Sequence, residues 1–548
     1  MTNRLQTLPL SSVIIFVLLG CSSPEEVTAQ EPQEPPIEMD AVSAFMKEGM
    51  ENSMLMEYAS WLSDVYGPRL TNSEQMRRAN NYTMQVLEEI GLENVHLHEW
   101  GPFGRGWELD RFALHAHSEH TYFPVTAYPK AWSPGYDEPV QGGVVYLDAD
   151  DEETWREYEG RLGDKFVMTD EPADPEHHWE PLAERLSDSR LLELANKGPI
   201  PVSESGTSSA GAGSTDDTQY RFMKFLEEEE PLAILDQSYR GRFGQIAITA
   251  ASIPSEPGLG WRERPRPHET DAPDPLPQVS LTRDHYGRLF RMIEKGVEVE
   301  LEMELETRYN TDDLMGYNTI AEIPGSDPDI GDEVVMIGAH LDSWHSGTGA
   351  TDNAAGSAVM MEVMRILAET GIEPRRTIRI ALWDGEEQGL HGSREYVADH
   401  FARPAGDDDW DFDEVETLDD YDNFSAYYNF DNGTGQIRGI YLQENEPLRR
   451  YFRTWLQPFE DWDADTITYS TTGSTDHVSF DRMGLPGFQF IQDPIEYWSK
   501  THHSNMDVFE RLKEDDLKKS AVIVATIAYH TAQLDYTLPR KDDVRIAD

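Results

Sequence analysis

The stretch VVMIGAHLDSWHSGTGATDNAAGSAVMMEVMRILAETGIEPRRTIRIALWDGEEQGLHGS, residues 334–393, decides the fold. Residues 334–339 are apolar throughout, the length of a strand buried on both faces. Residues 356–369 carry Met360, Met361, Val363, Met364, Ile366 and Leu367 nearly all round a helix, which leaves little of it for water. Residues 377–383 are a second apolar run. Two such strands joined by a buried helix predict a sheet covered on each side. Residues 425–430 add a third strand of the same kind, and residues 516–534 form a strong closing helix. Polar residues at the ends of these strands are then the place to seek a site.

Outward from this core the texture changes. Residues 41–66 and 74–91 have apolar residues at helical spacing (Met76, Ala79, Met84, Val86, Leu87, Ile90), the second run closed by Gly91. Between 121 and 304, short apolar runs at 143–147, 165–168, 232–235 and 245–250 alternate with Pro, Gly and acidic turns, which predicts a mostly β segment. Within it ESGTSSAGAGSTDD, residues 204–217, reads as a mobile loop. At the start, Arg4, an apolar run at 13–19, Gly20 and Cys21 read as a secretory signal too short to span a bilayer. Leu18-Leu19-Gly20-Cys21 resembles the bacterial lipoprotein cleavage box, which implies a lipidated Cys21 and an extracytoplasmic protein anchored to a membrane, the outer one in a diderm. Residues 21–40, rich in Pro, Glu and Ser, read as a disordered tether. The boundaries expected are 1–20 signal, 21–40 tether, 41–120 first part of the main α/β domain, 121–304 insert and 305–548 the rest of the main domain.

With 548 residues the chain has room for two or three structural units. Asp and Glu number 103 against 45 Lys and Arg, a net charge of −58. A nucleic-acid partner needs a basic footprint, so that class is excluded. Only 11 of the basic residues are Lys against 34 Arg. This fits a protein working in high salt and equally an acidic secreted one. Cys21 is the single cysteine, so neither an internal disulfide nor a cysteine metal site is available.

Five segments place polar residues after the apolar runs: GAHLDS (338–343), ATDNAAG (350–356), WDGEEQGLHGS (383–393), NFDNG (429–433) and THHSNMD (501–507). Histidine and carboxylate without cysteine suit zinc, or a harder ion such as manganese or cobalt. A two-metal hydrolytic site needs a bridging carboxylate, about two further ligands per ion and a separate carboxylate for protons. The pair Glu386-Glu387 suits that division, because adjacent residues point in different directions: one can ligate while its neighbour handles a proton. An acidic run at 407–422 has Asp at alternate positions but not the Gly and closing Glu of a calcium loop, so it reads as solvated.

Taken in this order, the five segments resemble the co-catalytic dizinc exopeptidases, the family of bacterial leucyl-type aminopeptidases, glutamate carboxypeptidase and carboxypeptidase Q. The resemblance covers about residues 317–535 and continues more weakly in 41–120. It implies an α/β/α sandwich with a mixed β-sheet, and for 121–304 an inserted β-rich protease-associated domain, with 277–296 as its return to the catalytic domain. It implies two divalent ions, zinc, bound by His340, Asp352, Glu387, Asp431 and His503, with Asp352 bridging. Glu386 matches the general base, acting on a metal-bridged hydroxide. Asp342 matches an acid that hydrogen-bonds the ligand histidine. His502 stands where relatives often carry Tyr, which leaves the choice between His502 and His503 as ligand open. Asp476 and His477 fall near the family's substrate pocket. The activity implied is hydrolysis of terminal peptide bonds in dipeptides or short peptides. A glutaminyl-cyclase-like reaction on one zinc, or an inactive surface lipoprotein that binds peptides, are the alternatives.

Overall fold

The apolar runs do become strands, and they lie side by side. The computed structural model describes residues 35–173, 177, 179–198, 217–241, 243–260, 263–406, 412, 414–541 and 545–546. The secretory signal, Cys21, most of the tether, nearly all of 204–217 and part of the acidic run fall outside them. The main sheet has eight strands: β1 (Glu93–Trp100), β2 (Gly316–Ile323), β3 (Val334–His340), β4 (Thr377–Trp383), β5 (Phe424–Asn429), β6 (Ile437–Tyr441), β7 (Thr466–Thr468) and β8 (Gly487–Gln492). Their order is β1-β2-β4-β3-β5-β8-β6-β7. β4, β3, β5 and β8 run parallel, and antiparallel pairing of β1 with β2, β2 with β4 and β6 with β8 makes the sheet mixed.

Helix α3 (Ala355–Thr370) follows the expected 356–369, and Ala355 to Leu367 are all buried. It is enclosed by the sheet, by α1 (Met39–Glu51) and by the closing helix α4 (Glu514–Ala532). Burying each Met, Ile or Leu of that helix contributes about 1.5–3 kcal/mol. α2 (Glu74–Ile90) begins where the Ser73 hydroxyl accepts the Met76 amide and ends on Gly91 at φ 94°. The single helix expected over 41–66 is broken after Glu51. The Met54 amide turns to the Glu362 carboxylate and the Ser53 hydroxyl accepts the Leu55 amide, which starts a new helix at Leu55. Residues 35–40, expected in the tether, are docked on the body: the Glu38 amide donates to His530 and Tyr529 donates to the Glu38 carboxylate.

A second eight-stranded sheet spans Gly106–His117 to Glu300–Asn310, two strands that pair with each other. Four helices interrupt its strands, at Glu152–Arg156, Asp188–Ala195, Asp217–Glu229 and Arg283–Glu294. Side-chain caps from Asp151, Ser187 and Thr282 start three of them. Residues 277–296 belong to this sheet: Gln278–Leu281 pairs with Ala233–Gln237, and Tyr286 and Leu289 of the following helix are buried against it. The chain re-enters the main sheet only at Gly316. The two sheets touch at the loop after β8, where Ile246 and Asn505 exchange hydrogen bonds and the Ile248 amide donates to the His503 carbonyl. No described helix is long and apolar enough to cross a membrane.

Candidate active site

Three of the parallel strands deliver polar groups at or just beyond their carboxyl ends. His340 is the last residue of β3, Glu386 and Glu387 follow β4 and Asp431 follows β5. Asp352 lies in the turn before α3, where the backbone departs from helical geometry (φ −133°, ψ 82°). His503 lies in the loop after β8, at φ 52°.

These residues meet. His340 Nε2 is 3.4 Å from Asp352 Oδ1 and 3.5 Å from Asp431 Oδ2. His503 Nε2 is 3.7 Å from Asp352 Oδ2 and 2.9 Å from Glu387 Oε2. The two oxygens of Asp352 thus face different histidines. Ligand atoms about 2.0–2.1 Å from a tetrahedral ion lie roughly 3.3–3.4 Å from one another; the two distances at His340 have about that length, and those at His503 fall on either side of it. His340, Asp352 and Glu387 also bring ligand atoms within 4.8 Å of one another. His340 Nε2, Asp352 Oδ2 and Glu387 Oε1 are buried with no hydrogen-bond partner. Burial, then the repulsion of Asp352, pushes the Glu387 carboxyl well above the usual range. Burial also raises Glu386, with Asp431, Asp476 and Glu387 adding to it against the pull of His340. Crowded carboxylates and orphaned ligand atoms fit a pair of divalent cations, which would supply the missing positive charge.

Asp342 does not serve His340 in the expected way. The His340 Nδ1–H goes to the Asp342 backbone carbonyl at 2.9 Å, and the carboxylate lies 3.6 Å away. That carboxylate instead accepts the Glu386 and Glu387 amides, each at 3.2 Å, and the Thr71 hydroxyl at 2.9 Å. It therefore orients the loop that carries both glutamates. Asp507 does the same for the bridging turn, accepting the Thr351 amide at 2.6 Å and the Asp352 amide at 3.1 Å. The buried Tyr497 donates to Asp431 Oδ1 at 3.3 Å. Asp476 and His477 are fully buried, and neither Asp476 carboxylate oxygen has a hydrogen-bond partner. His477 Nε2 is 3.1 Å from the Thr472 carbonyl, which makes it a brace for its loop. His345 binds the Pro129 carbonyl, and His391 lies parallel to Trp100; neither stands among the ligands.

Arg69 was not legible as part of the site. It is wholly buried and donates to the carbonyls of Leu341 (2.6 Å), Leu62 (2.7 Å), Thr348 (3.0 Å) and Gly349 (2.8 Å). One side chain thus clamps both ends of the loop that joins His340 to the Asp352 turn. Burial lowers its pKa to about 10, which still leaves it charged at neutral pH. Arg69→Met leaves buried carbonyls unpaired, at a cost of about 1–3 kcal/mol for a buried group left without its partner. A total loss of at least about 3 kcal/mol is expected, read from urea unfolding beside the wild type.

Comparison with known proteins bears on the fold and on the kind of enzyme. Residues 318–528 match the sequence model of Peptidase family M28. Carboxypeptidase Q of Homo sapiens is 25% identical over 499 residues, covering 90% of this chain and 88% of that protein. Carboxypeptidase Q of Rattus norvegicus is 28% identical over 485 residues, covering 87% and 85%. Among solved structures, a peptidase M28 precursor from Shewanella amazonensis SB2B has a TM-score of 0.61 at 20% identity, covering 92% of this chain and 98% of that one. BSAP, a zinc aminopeptidase from Bacillus subtilis, has a TM-score of 0.52 at 16% identity, covering 94% and 100%. The two structures establish the fold, and with the sequence matches they lead to one conclusion: the chain is a metallopeptidase that resembles peptidase family M28 over residues 318–528.

Proposed function

We propose that this protein is an exopeptidase that removes terminal residues from dipeptides or short peptides, using two zinc ions and Glu386 as general base. The observation that carries the reading is the Asp352 carboxylate, which presents one oxygen to His340 and the other to His503. One ion would be held by His340, Asp352 and Asp431, the other by His503, Asp352 and Glu387. When bound, such ions polarise the scissile carbonyl and acidify the attacking water. The chain's own groups do the rest. Glu386, its backbone anchored on Asp342, accepts the proton of the attacking water on its carboxylate and returns it to the leaving amine nitrogen. Tyr497 holds Asp431 in orientation. The full-length relatives, carboxypeptidases by name, support a short peptide with a free terminus as substrate. The cleavage box ending at Cys21 supports a lipid-anchored enzyme on the extracytoplasmic side of a membrane.

The test is metal content by mass spectrometry, with turnover of a dipeptide and of its N-blocked and C-blocked forms on the same sample. Two ions per chain are expected, with cleavage abolished by a chelator and restored by zinc. The blocked form that survives uncut identifies the terminus recognised. One ion or none, with every peptide intact after zinc is supplied, would favour the cyclase or the binding protein instead.

A further inference from the structure

The loop that carries His503 is held from two sides by residues associated with the second sheet. On one side are the bonds to Ile246 and Ile248, and Gln245 donates to the Lys500 carbonyl at 2.7 Å. On the other side lies a segment that leaves its own sheet. Residues 182–187 fall between the strands Lys165–Met168 and Ala233–Gln237, yet they run beside the loop after β8. Glu184 and Ile495 exchange backbone hydrogen bonds, both 2.8 Å, in the manner of paired antiparallel residues. The Ser499 hydroxyl donates to the Leu182 carbonyl at 2.9 Å. The helix that follows, Asp188–Ala195, sets Leu191 and Leu194 against Ile491 of β8.

The polar centre of this contact is Asp493, the first residue after β8. Its carboxylate is wholly buried and accepts Arg185 Nη1 at 2.7 Å, Arg438 Nη1 at 2.9 Å and the Leu186 amide at 2.8 Å. Arg185 lies at the surface and reaches on to Asp516 of the closing helix, where Nη2 donates to Oδ1 at 3.2 Å. One exposed arginine thus ties residues 182–187 both to the start of the loop and to the closing helix. From Asp493 the constraint reaches the metal-binding residues in a few steps. Tyr497–Thr501 form a single helical turn, closed by the Lys500 and Thr501 amides on the Glu496 carbonyl and by the His502 amide on the Tyr497 carbonyl. His503 follows two residues on, at φ 52°, a left-handed conformation that a residue with a Cβ keeps where its surroundings impose it. The two flanks of the loop are those surroundings. The other trio stands at the ends of β3 and β5 and in the turn before α3, and meets this loop through the Tyr497 contact to Asp431.

We propose that Arg185 is a positioning residue for one of the two ions: through Asp493 it fixes the loop after β8, so that residues 182–187 set the affinity of the His503 site and leave that of the His340 site unchanged. This rests on the two-zinc reading above. A ligand whose supporting contact is removed binds its metal about 10–100-fold more weakly. Arg438 stays with Asp493 when Arg185 is replaced, so the buried carboxylate keeps a counter-charge and the fold survives the change.

The experiment uses the full chain, freed of metal by a chelator and titrated with zinc. Ion number and affinity, kcat on a cleaved dipeptide and the urea midpoint of the zinc-free protein are measured for each variant. The wild type should bind two ions. Arg185→Met should hold one ion with wild-type affinity and bind the other about 10–100-fold more weakly. Its turnover should fall at low zinc and return at high zinc, while its urea midpoint stays where it was. Arg185→Lys, which keeps a charged donor for Asp493, should recover much of the affinity. His503→Ala should lose the same ion, and Arg185→Met added to it should leave the remaining ion unaffected, because the arginine acts only through that loop. Equal weakening of both ions in Arg185→Met, with a lowered urea midpoint, would make the contact merely structural and overturn the proposal. Weakening of the remaining ion in the double variant would overturn the route through His503. A wild type that binds fewer than two ions or cuts no peptide would overturn the reading of the site and this inference with it. A wild type with two ions and full turnover, beside an Arg185→Met protein of unaltered affinities, overturns this inference alone.

Discussion

Glu386→Ala lowers kcat by ~10²–10⁴ and leaves two ions bound. The size follows from what the residue is asked to do. A positioned carboxylate that moves a proton in the transition state contributes a factor of that order. The metal content should hold because Glu386 stands outside both trios, whereas its neighbour Glu387 lies 2.9 Å from His503. The loop itself should survive, since its hold on Asp342 runs through the backbone amides of residues 386 and 387. Gly385, at φ 76°, makes the bend just before them, with the Trp100 ring close over it. Glu386→Gln, equal in size and unable to take the proton, should fall as far. Turnover at the wild-type rate in either variant would end the assignment of the base, and loss of an ion would turn Glu386 into a ligand.

The features legible in the sequence share a property: their signal is local. β3, β4, β5 and α3 are legible because burial on both faces keeps them mostly apolar, with a few polar exceptions such as Arg379, Glu362 and Arg365. The polar groups that follow them stand out by contrast. His340, Asp352, Glu386, Glu387, Asp431 and His503 were singled out in that way and through their resemblance to a family, and the structure brings them together. What was not legible depends on distant partners. Arg69 meets its carbonyls some 270 to 280 residues away, at Leu341, Thr348 and Gly349, and nothing near it in sequence marks it as a clamp. Arg185 finds Asp493 across 308 residues. Residues 277–296 read as a return to the main domain because a strand followed by an amphipathic helix suits either sheet. Only the pairing of Gln278–Leu281 with Ala233–Gln237 assigns them to the second. Asp476 and His477, a polar pair beside a motif, are buried in the structure.

Asp352→Ala should strip the metal and with it all measurable turnover, a loss of at least ~10⁴. On the proposed reading its carboxylate would serve both ions, one oxygen facing His340 and the other His503, so removing it would take a ligand from each. Two histidines, Asp431 and Glu387 remain, two residues per ion, which is fewer than the three protein ligands of a catalytic zinc. Asp507→Asn makes the informative contrast. Asp507 touches no ligand side chain; it accepts the Thr351 and Asp352 amides and so sets where the bridging carboxylate points. Supports of this kind are worth about 10–100-fold in metal affinity. Asp507→Asn should therefore bind two ions weakly and regain turnover at high zinc, while Asp352→Ala should stay inactive at any zinc concentration. Dialysis against a graded chelator, followed by metal content and kcat, separates the two. An Asp352→Ala protein that still holds two ions would refute the bridge. An Asp507→Asn protein with unaltered affinity would show that the turn keeps its shape without that carboxylate, leaving the Arg69 clamp as the group that sets the position of Asp352.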